Sequence, residues 1–390
     1  MIQQRSGSAL THSLGSAREA SLTERFWGLS WPLLFLVLSI SCLGLLTLYS
    51  VAGGNTAPWM DKQAIRLVAG IALMLLIALV PLNIWIGAAW PSYLAALLLL
   101  VAVLAVGTSA MGARRWLQLG PLSLQPSEVA RVTLILALAR YYQWLPRARV
   151  SHPGWVVLPV VAILVPMALI VRQPDLGSSL LLGFTGLGMM FLAGVSVFYF
   201  LAGGAAIAVA APLLWSHMQP YQRRRITTFL DPEQDLLGAG YHIQQSKIAL
   251  GSGGFSGKGF LNGTQSSLNF LPEKHTDFIF TAFGEETGFV GCTLLLILYG
   301  LLLAWLAFLA IRCQSQFARL VIGGVGVTLF MSVGVNIGMV IGVLPVVGVP
   351  LPLMSYGGTA MLTSLASVGL AMAAHVNRRQ RIRPELLGFV

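Results

Sequence analysis

Residues 67–113, 176–222 and 320–377 contain no Asp, Glu, Lys or Arg. A helix crossing a bilayer needs roughly 20 consecutive apolar residues, so each run has room for two crossings. A water-soluble domain carries about a quarter charged residues. Here 24 basic and 13 acidic side chains are spread over 390 residues. The apolar runs are continuous rather than alternating, which excludes a β-barrel. The chain reads as an all-α polytopic membrane protein.

Walking along the chain gives spans at about 30–52, two within 67–113 broken at Pro81-Leu82-Asn83, and a weaker one at 127–143 interrupted by Arg131 and Arg140. Further spans fall at 154–171, twice within 176–222 with a tight turn near Gly194, at 279–311, and twice within 320–377 around the Pro/Gly-rich segment Leu344–Gly358. The total is ten transmembrane helices, with nine as the competing count. A large extracytoplasmic loop, about 216–276, falls between helices 7 and 8. Residues 1–29 form a cytoplasmic N-terminal tail, 30–379 the transmembrane domain and 380–390 a cytoplasmic C-terminal tail. No small-x-small cleavage site follows a short apolar core, so the first helix is read as uncleaved.

The net charge of +11 is loop charge that sets orientation, not a nucleic-acid surface. With the N-terminus inside, the inner side carries 12 Lys and Arg against 6 in the short outer loops, and ten of the thirteen acids fall outside. Both termini are therefore expected in the cytoplasm, with the polar chemistry on the outer face. Cys42, Cys292 and Cys313 have no CxxC spacing and imply neither a disulfide framework nor a metal site. The glycine-rich Gly251–Gly259 fails the phosphate-loop pattern and reads as a flexible turn. No HExxH is present, and no Lys has Ser three residues before it, so the SxxK of a penicillin-binding transpeptidase is missing.

Ionisable residues at membrane depth are costly and default to functional candidates. Four clusters stand out: Gly112–Trp116 with Gln125–Glu128, Arg172–Asp175, Tyr221–Arg225, and Leu271–Phe278 running into Gly284–Glu286. Glu128 and Asp175 each have a plain reading as acids at a helix start. The Arg223–Arg225 run is either an interfacial anchor or an anion site. Asp277 is the sharpest candidate. It stands where an apolar helix begins, with Thr281, Gly284 and Gly288 on its face, Glu285 close by, and Lys274 and His275 beside it. Such a carboxylate suits a general base, and a capping acid is the alternative.

Together these motifs resemble the shape, elongation, division and sporulation (SEDS) family, which includes RodA, FtsW and SpoVE. The resemblance runs from about Leu34 to Arg379. It rests on Gly112–Trp116, Gln125–Glu128, Gln173–Ser178, Gly238–Lys247, Leu271–Phe278 and the GVPLPLMSYGG of Gly348–Gly358. Gly263–Ser266 and Lys274 place it nearer the RodA branch than the FtsW branch. The resemblance implies a peptidoglycan glycosyltransferase that polymerises lipid II at the outer face of the cytoplasmic membrane. Expected partners are a class B penicillin-binding protein and other elongation-complex proteins, with no nucleic acid. Asp277 matches the family's essential acid, and Trp116 and Glu128 match positions the family also needs. Arg114, Arg115, Arg223, Lys247, Lys274 and His275 are the expected substrate contacts, with Arg224 and Arg225 as further cations for the diphosphate. No protein metal site is expected; a divalent cation, Mg or Mn, could share that role. A lipid II flippase is the alternative function.

Overall fold

The computed structural model describes residues 22–110, 113–120, 122–232, 238–264 and 273–380. Most of both expected tails, Gly112, and Leu271–Pro272 of the fourth cluster lie outside the described residues.

The apolar runs become helices that end where their sequence stops supporting them. After a short α1 (Leu22–Trp27), the first crossing is α2 (Trp31–Val51). The run that opens at 67 gives α3 (Met60–Leu79) and α4 (Leu82–Val106), broken at Pro81, which lacks the N–H a continuous helix needs. Next come α5 (Pro126–Trp144) and α6 (Pro153–Arg172), each with Pro in its first turn, where no N–H is required. The second run gives α7 (Leu176–Ala193) and α8 (Val197–His217). Gly194 turns between them at φ 95°, a left-handed cap suited to glycine. The long loop carries α9 (Pro220–Leu230) and α10 (Ala239–Ser252). The last three helices are α11 (Ile279–Ile311), α12 (Gln316–Val340) and α13 (Gly358–Val376).

Among the described residues nine helices are long and apolar enough to cross a membrane. α5 is the tenth crossing expected from sequence. Its charges are tolerable because it runs through protein, packed against α4, α6, α7, α12 and α13, with Leu134–Ala139 wholly buried. α8 is the opposite case and buries none of its residues against the rest of the chain.

Two features depart from the sequence reading. The stretch before α5, whose first residues close the 67–113 apolar run, forms a three-stranded antiparallel meander: β1 (Thr108–Ala110), β2 (Ala113–Leu119) and β3 (Leu122–Leu124). The glycine-rich segment, expected to be flexible, is docked on α11. A continuous helix of 33 residues would be about 50 Å long, more than a bilayer's roughly 30 Å. α11 is broken instead at Gly288 (φ 65°, ψ −162°). The glycine segment completes the backbone bonds there. Lys258 and Gly259 N–H groups donate to the Glu285 and Glu286 carbonyls, both at 3.0 Å, and Phe289 and Val290 N–H groups donate to Gly254 (2.9 Å) and Phe255 (3.1 Å). A side chain at Gly257 would stand 2.0 Å from the Glu286 carbonyl. Lys258 pairs with the fully buried Glu285 at 2.7 Å, and Ser50 of α2 donates to Glu286. The first turns of α11, which follow Asp277, are thus held from two sides.

Candidate active site

The turn Glu273–Phe278 leads into α11 and is tied to the segment between α12 and α13. Asn336, fully buried on α12, donates to the Asp277 carbonyl at 2.9 Å and to the Val349 carbonyl at 2.7 Å. Ser355 donates to the Thr276 carbonyl at 2.7 Å, and Tyr356 N–H donates to the His275 carbonyl at 2.9 Å. The Asp277 carboxylate comes to lie beside Gly348, where a side chain's first carbon would be 3.5 Å from Oδ2. Gly348 has φ 73°, which favours glycine. Two motifs about 70 residues apart in sequence therefore form one unit.

Burial pushes the Asp277 carboxyl from 3.8 up to about 6, helped by the Glu273 charge and opposed by Arg225 and Arg115. Arg225, on α9, donates to the Val347 carbonyl at 3.2 Å. Burial, and Arg115 beside it, hold its pKa below the usual arginine value. Arg115, on β2, lies 3.8 Å from Asp175 and donates to the Pro174 carbonyl. Asp175 caps α7 by accepting from Ser178 N–H at 3.1 Å, and it also accepts from Gln125 at 3.3 Å. It is thus both a helix cap and the anchor for Arg115. Arg115, Asp175, Arg225 and Asp277 bring together one residue from each of the four sequence clusters.

The remaining expected residues divide. His275 stacks on Trp59 with ring centroids 4.7 Å apart, and burial lowers its pKa. Lys274 is buried, and that desolvation lowers its pKa too. Trp116 is half-buried on β2, its carbonyl accepting from Thr108 at 3.2 Å. Arg114 is exposed. Arg223 turns toward α8, donating to the Ser216 carbonyl at 2.7 Å. Lys247 is exposed on α10 and lays its stem over Gly342.

Glu128 is bound by Arg131, one turn along α5, and by Thr363 of α13 at 3.2 Å. Arg131 donates in turn to Ser332 at 3.3 Å. Glu128 thus holds an arginine in place. Asn336, Ser332 and Trp59 were not singled out by sequence; Arg131 entered only as an interruption of the weak span and Ser355 only within the Gly348–Gly358 motif. Asn336 and Ser332 lie inside α12, where one polar residue carries no periodic signal.

Residues 30–380 match the family described as Cell cycle protein, FTSW_RODA_SPOVE. The chain is 44% identical over 363 residues to the peptidoglycan glycosyltransferase MrdB of Escherichia coli strain K12, covering 91% of this chain and 96% of that one. It is similar to a chain in a solved structure described as structural coordination of polymerization and crosslinking by a peptidoglycan synthase complex. That similarity has TM-score 0.79 and 37% identity, over 90% of this chain and 99% of that one. It is also similar to the crystal structure of Thermus thermophilus rod shape determining protein RodA, with TM-score 0.68 and 33% identity over 90% of this chain and 98% of that one.

Proposed function

The chain belongs to the FtsW/RodA/SpoVE family of cell cycle proteins, and we propose that it is the peptidoglycan glycosyltransferase of cell elongation, with Asp277 as its general base. It acts on lipid II, a disaccharide-pentapeptide on undecaprenyl diphosphate, and joins donor to acceptor with inversion at the donor carbon. One carboxylate then suffices and no covalent intermediate forms. The observation that carries this reading is a carboxylate whose pKa is raised to about 6 by burial, with two part-buried guanidinium groups acting on it. A base must be unprotonated at working pH yet basic enough to accept a proton, and a group of that pKa meets both needs.

Asp277 takes the proton of the acceptor 4-hydroxyl as that oxygen attacks. Arg225 and Arg115 bind the departing diphosphate, whose charge grows as the bond to sugar breaks; forked guanidinium groups suit its oxygens. Of the seven cations open from sequence, the geometry favours these two, and Arg223 and Lys247 least. Glu128, with Arg131, lines the cleft between α5, α12 and α13 and contacts substrate there or braces its wall. Among the described residues no group of three or more His, Cys, Asp or Glu is arranged to hold a metal ion. A Mg or Mn ion would supply further positive charge to the diphosphate.

The protein is a multi-span membrane protein of the RodA/MrdB type. The Lys and Arg count supports both termini in the cytoplasm and the Asp277 end on the periplasmic face of the inner membrane. The missing SxxK supports division of labour with a class B penicillin-binding protein, which crosslinks the strands. The test is polymerisation in vitro of labelled lipid II by the full chain, with and without that partner and divalent cation. Glycan ladders from wild type but not from Asp277→Asn are expected. Lipid II crossing liposome membranes with no ladders would instead favour a flippase.

A further inference from the structure

We infer that Trp59, His275 and Tyr356 form the subsite for the acceptor sugar, a platform on which an N-acetylhexosamine ring stacks beside Asp277; this rests on the glycosyltransferase reading above. The three rings come from separate segments. Trp59 ends the exposed loop 53–58 and precedes α3, and it is itself only part-buried. It stacks on His275 at 4.7 Å with 18° between the planes. His275 in turn lies 5.8 Å from Tyr356, and the Arg66 guanidinium sits 4.6 Å over the far ring.

The backbone beneath is fixed. Gln63 of α3 donates to the Ser355 carbonyl at 2.9 Å and accepts from Gly357 N–H at 3.3 Å. Tyr356 N–H is bonded to the His275 carbonyl. One residue, Thr276, separates His275 from Asp277, so their Cα atoms are at most about 7 Å apart. The platform therefore cannot move independently of the base.

Order along one strand of chain assigns the side. Between α12 and α13, Val347 meets Arg225, Gly348 meets Asp277, Val349 shares the Asn336 amide with the Asp277 carbonyl, and Tyr356 meets His275. Asp277 stands between Arg225 and Arg115, the cations that act on it, and the stacked rings, whose Arg66 is engaged over Tyr356. The diphosphate leaves toward the arginines, so the attacking hydroxyl approaches from the rings. The chemistry fits a sugar, which offers an apolar C–H face to an aromatic plane and hydroxyl and amide groups at its edge. His275 Nδ1 and Arg66 Nη1 are enclosed by protein without a hydrogen-bond partner. Buried polar groups are ordinarily satisfied, so two unpaired polar atoms set this cluster apart from plain hydrophobic packing.

The test separates donor from acceptor. The full chain with its class B partner receives labelled lipid II blocked at the 4-hydroxyl, which serves only as donor. The acceptor is varied, either as monomeric lipid II or as a short lipid-linked strand. In Trp59→Ala the acceptor KM rises about three- to tenfold, the range that ring stacking supplies. The donor KM and kcat stay within about twofold, Trp59→Phe restores the acceptor KM, and whichever acceptor form shows the rise identifies the source of the sugar. Unchanged acceptor KM for both forms overturns the subsite. So does a parallel rise in donor KM, or a fall in thermal stability and kcat without a KM split, which marks a packing role. No product from wild type is a different failure, that of the glycosyltransferase reading itself.

Discussion

Replacing Asp277 by Asn should make the protein more stable while destroying its activity. The Asp277 carboxyl holds its proton up to about pH 6 when folded, against 3.8 ordinarily. At about 1.36 kcal/mol per pH unit, that difference corresponds to about 3 kcal/mol. Part of the side chain remains exposed, and solvent screening discounts this to about 2 kcal/mol. The sign follows from linkage. The folded state binds this proton more tightly than the unfolded state, so its contribution is intact below pH 3.8. It is lost as pH climbs through about 6. Above that pH the wild type bears the full cost of a desolvated carboxylate, and the Asn variant bears none. For a chain of this size about 2 kcal/mol corresponds to roughly 2–3 °C in Tm. The assay is thermal unfolding of both proteins in the same detergent at about pH 4 and pH 8. The expected result is coincident melting in acid and a higher Tm for Asp277→Asn at pH 8, with no glycan product. Equal or lower stability of the variant at pH 8 would refute the claim that a desolvated charge stands at this position.

The polymerisation rate should rise with pH through about 6. Arg225→Gln should move that acid limb upward, because Arg225 is the charge that most lowers the Asp277 pKa; a pH–rate profile that stays put or moves down counts against the pairing. Gly257→Ala puts a methyl group 2.0 Å from the Glu286 carbonyl at φ 80°, so it should cost about 2 kcal/mol or more, read as a lowered Tm. Glu128→Gln leaves Arg131 without its ion partner and should cost about 2–4 kcal/mol, and adding Arg131→Met should recover part of that loss in the same melting assay.

The span positions were legible because each boundary has a local cause: Pro81 breaks one run, Gly194 turns another, and Pro126 and Pro153 open helices. α5 was only faintly legible, because hydropathy reports contact with lipid and this helix contacts protein on most sides. The meander escaped notice because three short strands offer little alternation to read. Asp277 stood out as an acid at the edge of an apolar run. Arg115 and Arg225 stood out in their own clusters, but their convergence on Asp277 did not, because they and Asn336 reach it from three other segments of the chain. The glycine segment was misread for a related reason. Glycines without a phosphate-loop pattern suggest freedom when viewed alone, whereas here they permit backbone to lie on backbone at the Gly288 break. Only the partner strand of chain distinguishes the two.

The distribution of polar groups with depth bears on whether the substrate's head crosses this protein or reacts at its surface. A path through the membrane requires polar groups lining it from one face to the other. The cleft between α5, α12 and α13 begins with Glu128, Arg131, Ser332 and Thr363 and continues to Ser367 and Thr328. Further along the same helices, Leu134–Ala139 of α5 and Leu370–Ala374 of α13 are buried without an ionisable side chain. The polar lining therefore enters from the Asp277 end and stops against packed hydrocarbon. A disaccharide-pentapeptide that entered there would lose its water without gaining partners deeper in, so the favourable course is to bind at the rim. Asp277, the two guanidinium groups that act on it and the stacked rings line none of that deeper path, an arrangement that suits a transferase better than a conduit.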